Sequence, residues 1–518
     1  MLYWESTNYF EEKYMEETSE LLLHRREKLK RLKEKNINPY PYSFKRTHTS
    51  AEIIKNFENL SGDESEVKIA GRMISLRRHG KTLFFHILDG GGKIQVYVKS
   101  DEVGKEKFEL FDLFDIGDHL GATGKVFKTR TGEITVRAAD FCILSKSLLP
   151  LPEKWHGLQD KELRYRQRYV DLIVNQEVKK IFLVRTELIK AIRRFLDDSG
   201  FVEVESPILQ PLYGGAFARP FTTHHHALNV DLYLRIADEL YLKRLIVGGF
   251  EKVYEISKSF RNEGMDRNHN PEFTMLELYQ AYADYHDIME LYEKLLNAIS
   301  KEVLGSSKFE FEGNQIDLTP PWSRIPFLES LQEHLPISKG ELDFTRLFYN
   351  GTEEEIRQLV IRLKIQVDPK RPRGKLIEAI FETQVQPNLI QPTFITDYPI
   401  EMSPLAKKHR EKEGLTERFE LFLGGCEMGN AFSELNDPLD QRERFEQQME
   451  LAKKGDKEAQ MLDEDFLRAL EYGMPPTGGL GFGIDRLVMV FTNTHSIREV
   501  IFFPQMRSVE NPAEGEEE

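Results

Sequence analysis

A short stretch near the middle of the chain brings together side chains that can bind a nucleotide. Arg261, Glu263, His269 and Phe273 fall on a predicted loop between two strand-like segments. An arginine can bind a phosphate through a planar fork of donors, a glutamate can accept a hydrogen bond from a base, and a phenylalanine offers a face for ring stacking. The histidine adds a second basic group. Because the chain contains no G-x-x-x-x-G-K-[ST] loop, these residues predict a nucleotide site without a glycine-rich phosphate loop.

The strand that follows this loop carries several of these groups on one face. Successive side chains of a strand point to opposite sides, so Phe273, Met275, Glu277 and Tyr279 share a face. Such a face can stack a ring at one end and accept hydrogen bonds from a cation at the other. The alternative is that Glu277 simply lies at a sheet edge, but the nearby Arg261 and Phe273 favour a binding site.

A glycine-rich segment near the C-terminus adds a second phosphate-binding feature. Gly478–Gly483 lacks the G-x-G-x-x-G spacing of a dinucleotide site, but its glycines let the backbone approach a ligand. Arg486 then falls in the first turn of a predicted helix. A helix N-terminus together with an arginine suits a phosphate.

Between these two regions lies a group of acidic residues. Glu420, Glu427, Asn430 and Glu434 fall in a pair of strand-like segments. Buried strands tolerate few carboxylates unless these groups have partners. Hard divalent cations that bridge phosphates prefer carboxylate oxygens, so this group predicts a cation site.

Residues 66–147 have the pattern of a small β-barrel. About five short strands are separated by glycine turns, such as Asp89–Gly92, which is typical of a Greek-key barrel of the OB type. Such barrels bind single-stranded nucleic acid by stacking bases on aromatic rings and contacting base edges. Strand alternation requires that one of Phe84 and Phe85 point outward.

The whole pattern predicts an α+β protein of several domains. The N-terminal part should contain a helix over 10–35. The predicted segments are a helical extension (1–65), the OB-fold barrel (66–147), a linker (148–175), a catalytic domain (176–507) with a helical insertion at about 325–375, and an acidic tail (508–518).

Composition limits the class of protein. The 518 residues allow about three domains, each with its own core. Two cysteines, Cys142 and Cys426, exclude a disulfide framework. No apolar run approaches the length of a membrane span, and there is no secretion signal, so we expect a cytoplasmic protein with no membrane partner. The net charge of −15 disfavours general binding to nucleic acid. Seven basic residues between Arg25 and Lys35 could still contact RNA, or could form an ordinary solvated helix face.

Three segments in a fixed order resemble the motifs of class II aminoacyl-tRNA synthetases. Ser259–Phe273 resembles motif 2, Gly478–Arg486 resembles motif 3, and the helix–strand unit Ile181–Leu209 is similar to motif 1. The continuation Thr274–Tyr282 is similar to lysyl-tRNA synthetases in particular. The resemblance covers about 66–507. It implies a catalytic domain on an antiparallel sheet with flanking helices, a homodimer, and the substrates L-lysine, ATP and tRNA(Lys).

The resemblance also implies a role for individual residues. Arg261 and Arg486 would be catalytic, on the α- and γ-phosphates of ATP, and Cys426 stands where a basic residue is expected. The other implied ATP contacts are Glu263, His269, Phe273 and Glu420, and the implied Mg²⁺ ligands are Glu420 and Glu427. The implied lysine pocket is Gly215, Glu239, Glu277, Tyr279, Asn430 and Glu434. The implied anticodon contacts are Arg72, Phe84, Gln95 and Glu133.

Three alternatives stay open at this point. An aspartyl- or asparaginyl-type synthetase would share the fold, but its pocket would need cationic or amide donors where this chain has Glu277, Tyr279 and Glu434. A paralogue that lysylates a protein would resemble the catalytic domain alone, whereas this chain also carries the barrel with Phe84 and Gln95. A catalytically inactive RNA-binding protein would have no need to keep ATP and metal ligands together.

Overall fold

The computed structural model divides into two compact units. The first is formed mainly by the chain up to Asp160, and the second spans Lys161–Met506. The structure describes residues 20–62, 65–152, 158–337, 341–368, 371–453 and 460–507. The predicted acidic tail and the first part of the predicted N-terminal helix therefore lie outside the described residues.

The first unit contains a closed five-stranded barrel with strand order β1-β2-β3-β5-β4, which confirms the predicted OB fold. Along β2, Leu83, Phe85 and Ile87 are buried while Phe84 and His86 are only partly covered, so alternate side chains form the barrel core. Its elements are α1 (20–34), α2 (Ser50–Lys55), α3 (Phe57–Gly62), β1 (Val67–His79), β2 (Thr82–Asp89), β3 (Gly92–Lys99), α4 (Ser100–Val103), α5 (Lys105–Phe108), β4 (His119–Lys128) and β5 (Ile134–Ser145).

Helix α1 packs on the barrel through basic as well as apolar side chains. The Arg25 guanidinium donates hydrogen bonds to the carbonyls of Ile116, Ser147 and Leu149 at 3.0–3.2 Å. Lys28 donates to Asp115 at 2.7 Å. These two cations of the basic run Arg25–Lys35 therefore hold the helix to the barrel. The other five are exposed: Arg26, Lys30, Arg31, Lys33 and Lys35.

The second unit is built on an eight-stranded sheet of order β14-β15-β16-β17-β18-β11-β10-β6. The pairs β14–β15 and β10–β6 are parallel and the others antiparallel. The strands are β6 (Val202–Glu203), β7 (Leu209–Gln210), β8 (Thr222–His225), β9 (Val230–Leu234), β10 (Lys252–Phe260), β11 (Glu272–Ala281), β12 (Lys308–Phe311), β13 (Asn314–Asp317), β14 (Ser323–Pro326), β15 (Thr393–Thr396), β16 (Arg418–Leu423), β17 (Cys426–Ser433) and β18 (Thr477–Gly483).

Helices cover one face of this sheet and form the main core with it. Leu276 and Leu278 of β11 pack in that core with side chains from the helices that begin at Gln176, Tyr285 and Ile484. The helices are α6 (Lys161–Arg166), α7 (Arg168–Val174), α8 (Gln176–Asp198), α9 (Glu239–Val247), α10 (Tyr285–Leu304), α11 (Phe327–His334), α12 (Glu353–Arg362), α13 (Arg373–Gln384), α14 (Pro438–Lys453), α15 (Glu464–Glu471), α16 (Ile484–Phe491) and α17 (Ile497–Val500).

Two predicted segments differ in detail from the observed elements. The segment predicted as a linker at 148–175 includes α6 and α7, which belong to the second unit. The buried Arg168 side chain pairs with Asp171 within this segment and donates to the carbonyls of Arg498 at 2.8 Å and Phe502 at 3.2 Å, which ties the segment to the unit. In the segment predicted as a helical insertion, α11 to α13 pack around their own core, and α13 continues to Gln384. Within the described ranges, no helix combines the length and apolarity that a membrane span requires.

Candidate active site

A cavity of about 310 Å³ opens on the sheet face that carries the odd-numbered residues of β11. The even-numbered Leu276 and Leu278 point into the core, as strand alternation predicts. The cavity lining includes every site residue predicted outside the barrel: Gly215, Glu239, Arg261, Glu263, His269, Phe273, Glu277, Tyr279, Glu420, Glu427, Asn430, Glu434 and Arg486. Two regions of the chain that are far apart in sequence therefore meet in one site.

One end of the cavity carries a cation beside an aromatic ring. Arg261 follows β10 directly, and its guanidinium lies over the Phe273 ring, 5.1 Å from the centroid. The Arg261 Nε is buried and has no hydrogen-bond partner among the described residues. Burial lowers the pKa of Arg261, although Glu263 and Glu427 oppose the shift. A buried donor without a partner is costly, so this end is suited to an anion that can accept from it.

Arg486 reaches the same end of the cavity from the start of α16. The Asp485 side chain accepts a hydrogen bond from the Thr274 amide at 2.7 Å, which fixes the start of this helix against β11. Arg486 Nη1 donates to the Glu427 carbonyl at 2.7 Å and lies 3.2 Å from its carboxylate, and Nη2 lies 3.3 Å from His269 Nε2. Two basic groups from separate motifs thus lie side by side, an arrangement that suits phosphate.

Glu420 and Glu427 are close enough to influence one another. Burial, together with the charge on Glu427, raises the pKa of Glu420 to about 7, although Arg418 opposes the shift. Tyr398 donates a hydrogen bond to Glu420 at 2.8 Å, and Arg418 forms an ion pair with it. Two neighbouring carboxylates in a cavity that also holds Arg261 and Arg486 match the way Mg²⁺ is usually held, by one or two carboxylates plus substrate phosphates. No set of three metal-binding side chains occurs among the described residues. Glu420 and Glu427 therefore fit a Mg²⁺ site in which substrate phosphates supply further ligands.

The other end of the cavity is acidic and deeply buried. Glu277 accepts hydrogen bonds from the Asp238 amide and the Tyr279 hydroxyl, each at 3.2 Å. Burial raises the pKa of Glu277 well above its usual value, with Asp238 and Glu239 adding to the shift. Burial has the same effect on Glu434. Such a group of carboxylates favours a cationic ligand.

Two glycines keep this acidic end open. Gly215 has a φ of +85°, and a Cβ there would lie 3.0 Å from Ala237 and 3.1 Å from Glu239. Gly479 of β18 faces Glu434 and Tyr279 so closely that an added Cβ would collide with the Glu434 carboxylate and lie 2.6 Å from the Tyr279 ring. Both positions therefore require glycine for steric reasons.

On the barrel, a separate polar and aromatic face lies on the outside of the strands. Phe84 points outward with its ring 4.9 Å from Tyr97, while Phe85 is buried. The Gln95 amide donates to the Glu133 carboxylate at 2.8 Å. Arg72 donates instead to the Gly117 carbonyl at 2.7 Å.

Comparison with known proteins places these sites in a family. A family model described as tRNA synthetases class II (D, K and N) matches residues 160–507, and one described as an OB-fold nucleic acid binding domain matches 67–144. A protein named lysine–tRNA ligase from Pelotomaculum thermopropionicum is 57% identical over 95% of this chain and 96% of its own length. The chain belongs to the class II lysine–tRNA ligases. Proteins of the same name from Carboxydothermus hydrogenoformans and Moorella thermoacetica are 55% and 53% identical, over 95% and 96% of this chain and 99% of their own lengths.

Some residues of this ligase-family site escaped the sequence analysis. Lys243, on α9, contacts both Glu239 and Glu434. Arg418 donates to Asn430 at 3.0 Å as well as pairing with Glu420, and on the barrel His86 lies 2.8 Å from Glu133. The helical i,i+4 spacing of Glu239 and Lys243 was a usable signal. Cys426 packs partly buried against the core, and burial raises the pKa of its thiol.

Proposed function

We propose that this chain activates L-lysine with ATP and transfers the lysyl group to the 3′ end of tRNA(Lys). The observation that carries the proposal is the polarity of this cavity. The Arg261 Nε, which has no hydrogen-bond partner among the described residues, and the Phe273 ring lie at one end, and the buried carboxylates of Glu277 and Glu434 lie at the other. Lysine has a carboxylate at one end and a side-chain ammonium at the other. Lysine bound beside the phosphates of ATP is therefore complementary to both ends of the cavity.

The first step joins lysine to adenylate. A lysine carboxylate oxygen attacks the α-phosphorus of ATP in line and forms a new O–P bond. The bond from the α-phosphorus to the oxygen it shares with the β-phosphorus breaks, and its electron pair leaves with pyrophosphate. Arg261 would bind both the attacking carboxylate and the α-phosphate, and would stabilise the charge that spreads over the phosphoryl oxygens. Positioning by bound groups accounts for most of the catalysis, since this step requires no proton transfer.

The second step transfers the lysyl group. The terminal adenosine hydroxyl of the tRNA attacks the carbonyl carbon of the mixed anhydride, AMP leaves with the electron pair of the broken C–O bond, and the hydroxyl proton passes to a phosphate oxygen of the departing AMP. The remaining ATP contacts in this proposal are those that the resemblance to motifs 2 and 3 implies. Phe273 would stack on the adenine, Glu263 would accept from its amino group, and His269 with Arg486 would hold the distal phosphates.

Glu420 and Glu427 would hold Mg²⁺ in this proposal. When bound there, Mg²⁺ supplies charge neutralisation on the phosphates. Without Mg²⁺, the two carboxylates would repel each other and the phosphates. The ion pairs with Arg418 and Arg486 would offset this repulsion only in part. The proposal also includes a homodimer, because α8 and β6 form the unit that resembles motif 1. It includes a cytoplasmic location, which the two free cysteines favour.

The acidic end would select lysine over aspartate and asparagine. Glu277, Glu434 and the Tyr279 hydroxyl offer acceptors to a side-chain ammonium, and Asn430 completes the wall. An aspartate side chain would instead meet like charges. Unpaired or repelled groups in a closed site can discriminate between substrates by up to about 10⁴–10⁵-fold.

Replacing Gly479 by alanine is expected to raise the KM for lysine by about tenfold or more. The added methyl group would displace the Glu434 carboxylate and the Tyr279 ring, and overpacking of this kind costs about 1–3 kcal/mol. Lysine-dependent ATP–pyrophosphate exchange measures the change. Gly90→Ala is the matched control because a Cβ there meets no atom within 4 Å. Equal KM values for the two variants would contradict the assignment of this wall to the lysine pocket.

We also propose that the outer face of the barrel reads the anticodon. Phe84 would stack on a base of the uracil-rich triplet, while Gln95 and Glu133 would contact base edges. Arg72 would add positive charge beside them. His86 belongs to the same face because it hydrogen-bonds the other oxygen of Glu133.

Phe84→Ala is expected to raise the KM for tRNA(Lys) by about tenfold, because stacking on one base contributes about 1–3 kcal/mol. The rate of exchange without tRNA should not change, since the lysine and ATP contacts lie in the second unit. Aminoacylation kinetics with varied tRNA measure this difference. Tyr42→Ala, which removes a fully exposed ring from the same unit, serves as the control. An unchanged KM for tRNA in Phe84→Ala would remove Phe84 from the interface.

Charging of tRNA tests the full proposal. The purified protein is incubated with ATP, Mg²⁺, radiolabelled lysine and either tRNA(Lys) or the same tRNA with an altered anticodon. We expect lysyl-tRNA to form, and to form more slowly with the altered anticodon. Formation of adenylate without any lysyl-tRNA would limit the function to activation.

A further inference from the structure

A lysine of the protein itself lies behind the acidic end of the cavity. Lys243 is completely buried, and its Nζ lies 2.5 Å from Glu239 and also forms an ion pair with Glu434. Both glutamates line the cavity, whereas Lys243 does not. The ammonium therefore contacts the carboxylates from the side away from the ligand space.

The position of this ammonium leaves part of Glu434 available to a ligand. Lys243 approaches Glu434 Oε2, while Oε1 is buried and has no hydrogen-bond partner among the described residues. Oε1 is also the atom that a Cβ at Gly479 would strike, so it lies at the surface of β18 that faces the cavity. One oxygen is thus held by the protein, and the other is an acceptor without a donor.

The balance of charge explains why the pocket needs this cation. Three carboxylates, those of Glu239, Glu277 and Glu434, are buried within a single site. Burial raises the pKa of both Glu239 and Glu434, and the ammonium of Lys243 is the largest influence that opposes the rise in each. Although burial also disfavours the charged form of Lys243, the two carboxylates keep its pKa above its usual value. Without Lys243, a carboxylate would take up a proton instead of staying charged.

We propose that Lys243 is a positioning residue for recognition of the amino-acid substrate. Its ammonium fixes Glu239 and Glu434 in the cavity wall and favours their charged forms, so that the Glu434 acceptor is already aligned when the substrate ammonium arrives. The inference rests on the proposed lysine specificity, and it adds a residue that contacts neither lysine nor ATP. Preorganised acceptors of this kind lower the cost of binding, because the site does not rearrange or lose protons when the ligand arrives.

The proposal predicts a change in how lysine binding depends on pH. Several charged and titratable groups face the glutamates. They are Asp238, which precedes α9, Lys243 on α9, Glu277 and Tyr279 on β11, and Arg418 on β16. In Lys243→Met the carboxyl pKa values rise further, so the carboxylates become protonated as the pH falls and lysine binding weakens. The KM for lysine should therefore rise more steeply in the variant than in the unaltered protein as the pH falls.

Lysine-dependent exchange with Lys243→Met is the test, and methionine is chosen for its similar length and lack of charge. We expect the KM for lysine at neutral pH to rise by about 10–100-fold. The KM for ATP and the kcat at saturating lysine should stay within about threefold. Lys146→Met is the matched control: Lys146 is also fully buried and paired with two carboxylates, Asp115 and Asp118, but in the barrel unit. It should lower the melting temperature without changing the KM for lysine.

Each result separates the inference from the proposed function. If the unaltered protein shows no exchange with lysine, the proposed function fails before Lys243 is tested. If that protein exchanges with lysine and a folded Lys243→Met variant has the same KM and pH profile, Lys243 has only a structural role and the inference is wrong. If Lys243→Met does not fold, Glu239→Gln is compared with Glu239→Gln/Lys243→Met, in which one charge of each sign is removed. The double variant should bind lysine more weakly than the single one at low pH, and equal binding would overturn the inference.

Discussion

Arg261→Lys is expected to lower the rate of lysine-dependent ATP–pyrophosphate exchange by about 10²–10³-fold. The substituted lysine would keep a positive charge but lose the planar fork that can bind two anionic oxygens at once. Because the Arg261 Nε has no hydrogen-bond partner among the described residues, the substitution should weaken contacts with the ligand rather than destabilise the fold. Exchange assays with saturating lysine and ATP measure the effect on kcat, and thermal unfolding measures stability.

The matched control for this substitution is Arg25→Lys. Arg25 is also a buried guanidinium, but it donates to three backbone carbonyls in the barrel unit. Arg25→Lys should lower stability and leave exchange unchanged. An Arg261→Lys variant with exchange within about threefold of the unaltered protein would contradict the role given to Arg261.

Glu277→Gln is expected to raise the KM for lysine by about 100-fold with little change in the KM for ATP. Glutamine keeps the shape of the side chain and can still accept one hydrogen bond, but it removes the charge that faces the substrate ammonium. Loss of one partner of a buried charged pair costs about 2–5 kcal/mol, and each 1.4 kcal/mol corresponds to about tenfold in affinity. Exchange kinetics with lysine varied at fixed ATP, and the reverse, separate the two KM values.

Glu293→Gln provides the comparison for Glu277→Gln. Glu293 is a buried glutamate of α10 in the same unit, bonded to the Trp322 amide at 2.9 Å and absent from the cavity wall. It should leave both KM values unchanged. A parallel increase in the KM for ATP after Glu277→Gln would indicate a general distortion of the site, and no increase for lysine would remove Glu277 from the pocket.

The end of the cavity that we propose binds ATP could be predicted largely from the sequence. Arg261, Glu263, His269 and Phe273 lie on one loop and the start of one strand, and strand alternation puts Phe273 on the same face as Glu277 and Tyr279 of the acidic end. The motif resemblance then added Arg486, which the first turn of α16 brings next to His269. Local geometry and one family pattern were sufficient to select these residues, whereas the contacts of Arg486 with Glu427 and His269 were visible only in the structure.

The acidic end depended on pairings that no local pattern reveals. Lys243 contacts Glu239 one helical turn away, but its contact with Glu434 joins α9 to the residue after β17. Arg418 of β16 likewise reaches Asn430 on the neighbouring strand β17. The same limit applied to the basic run near the N-terminus, where the sequence shows the charge of Arg25 but not the carbonyls that it binds.

Amino-acid-dependent exchange between ATP and pyrophosphate, measured for all twenty amino acids without tRNA, tests the central claim most directly. The acidic pocket and the unpaired Arg261 together predict exchange with lysine and with no other amino acid at comparable concentration. Exchange with aspartate or asparagine would contradict the roles of Glu277 and Glu434 while leaving the ATP site intact. Exchange with none of the twenty would contradict the proposed activation of lysine.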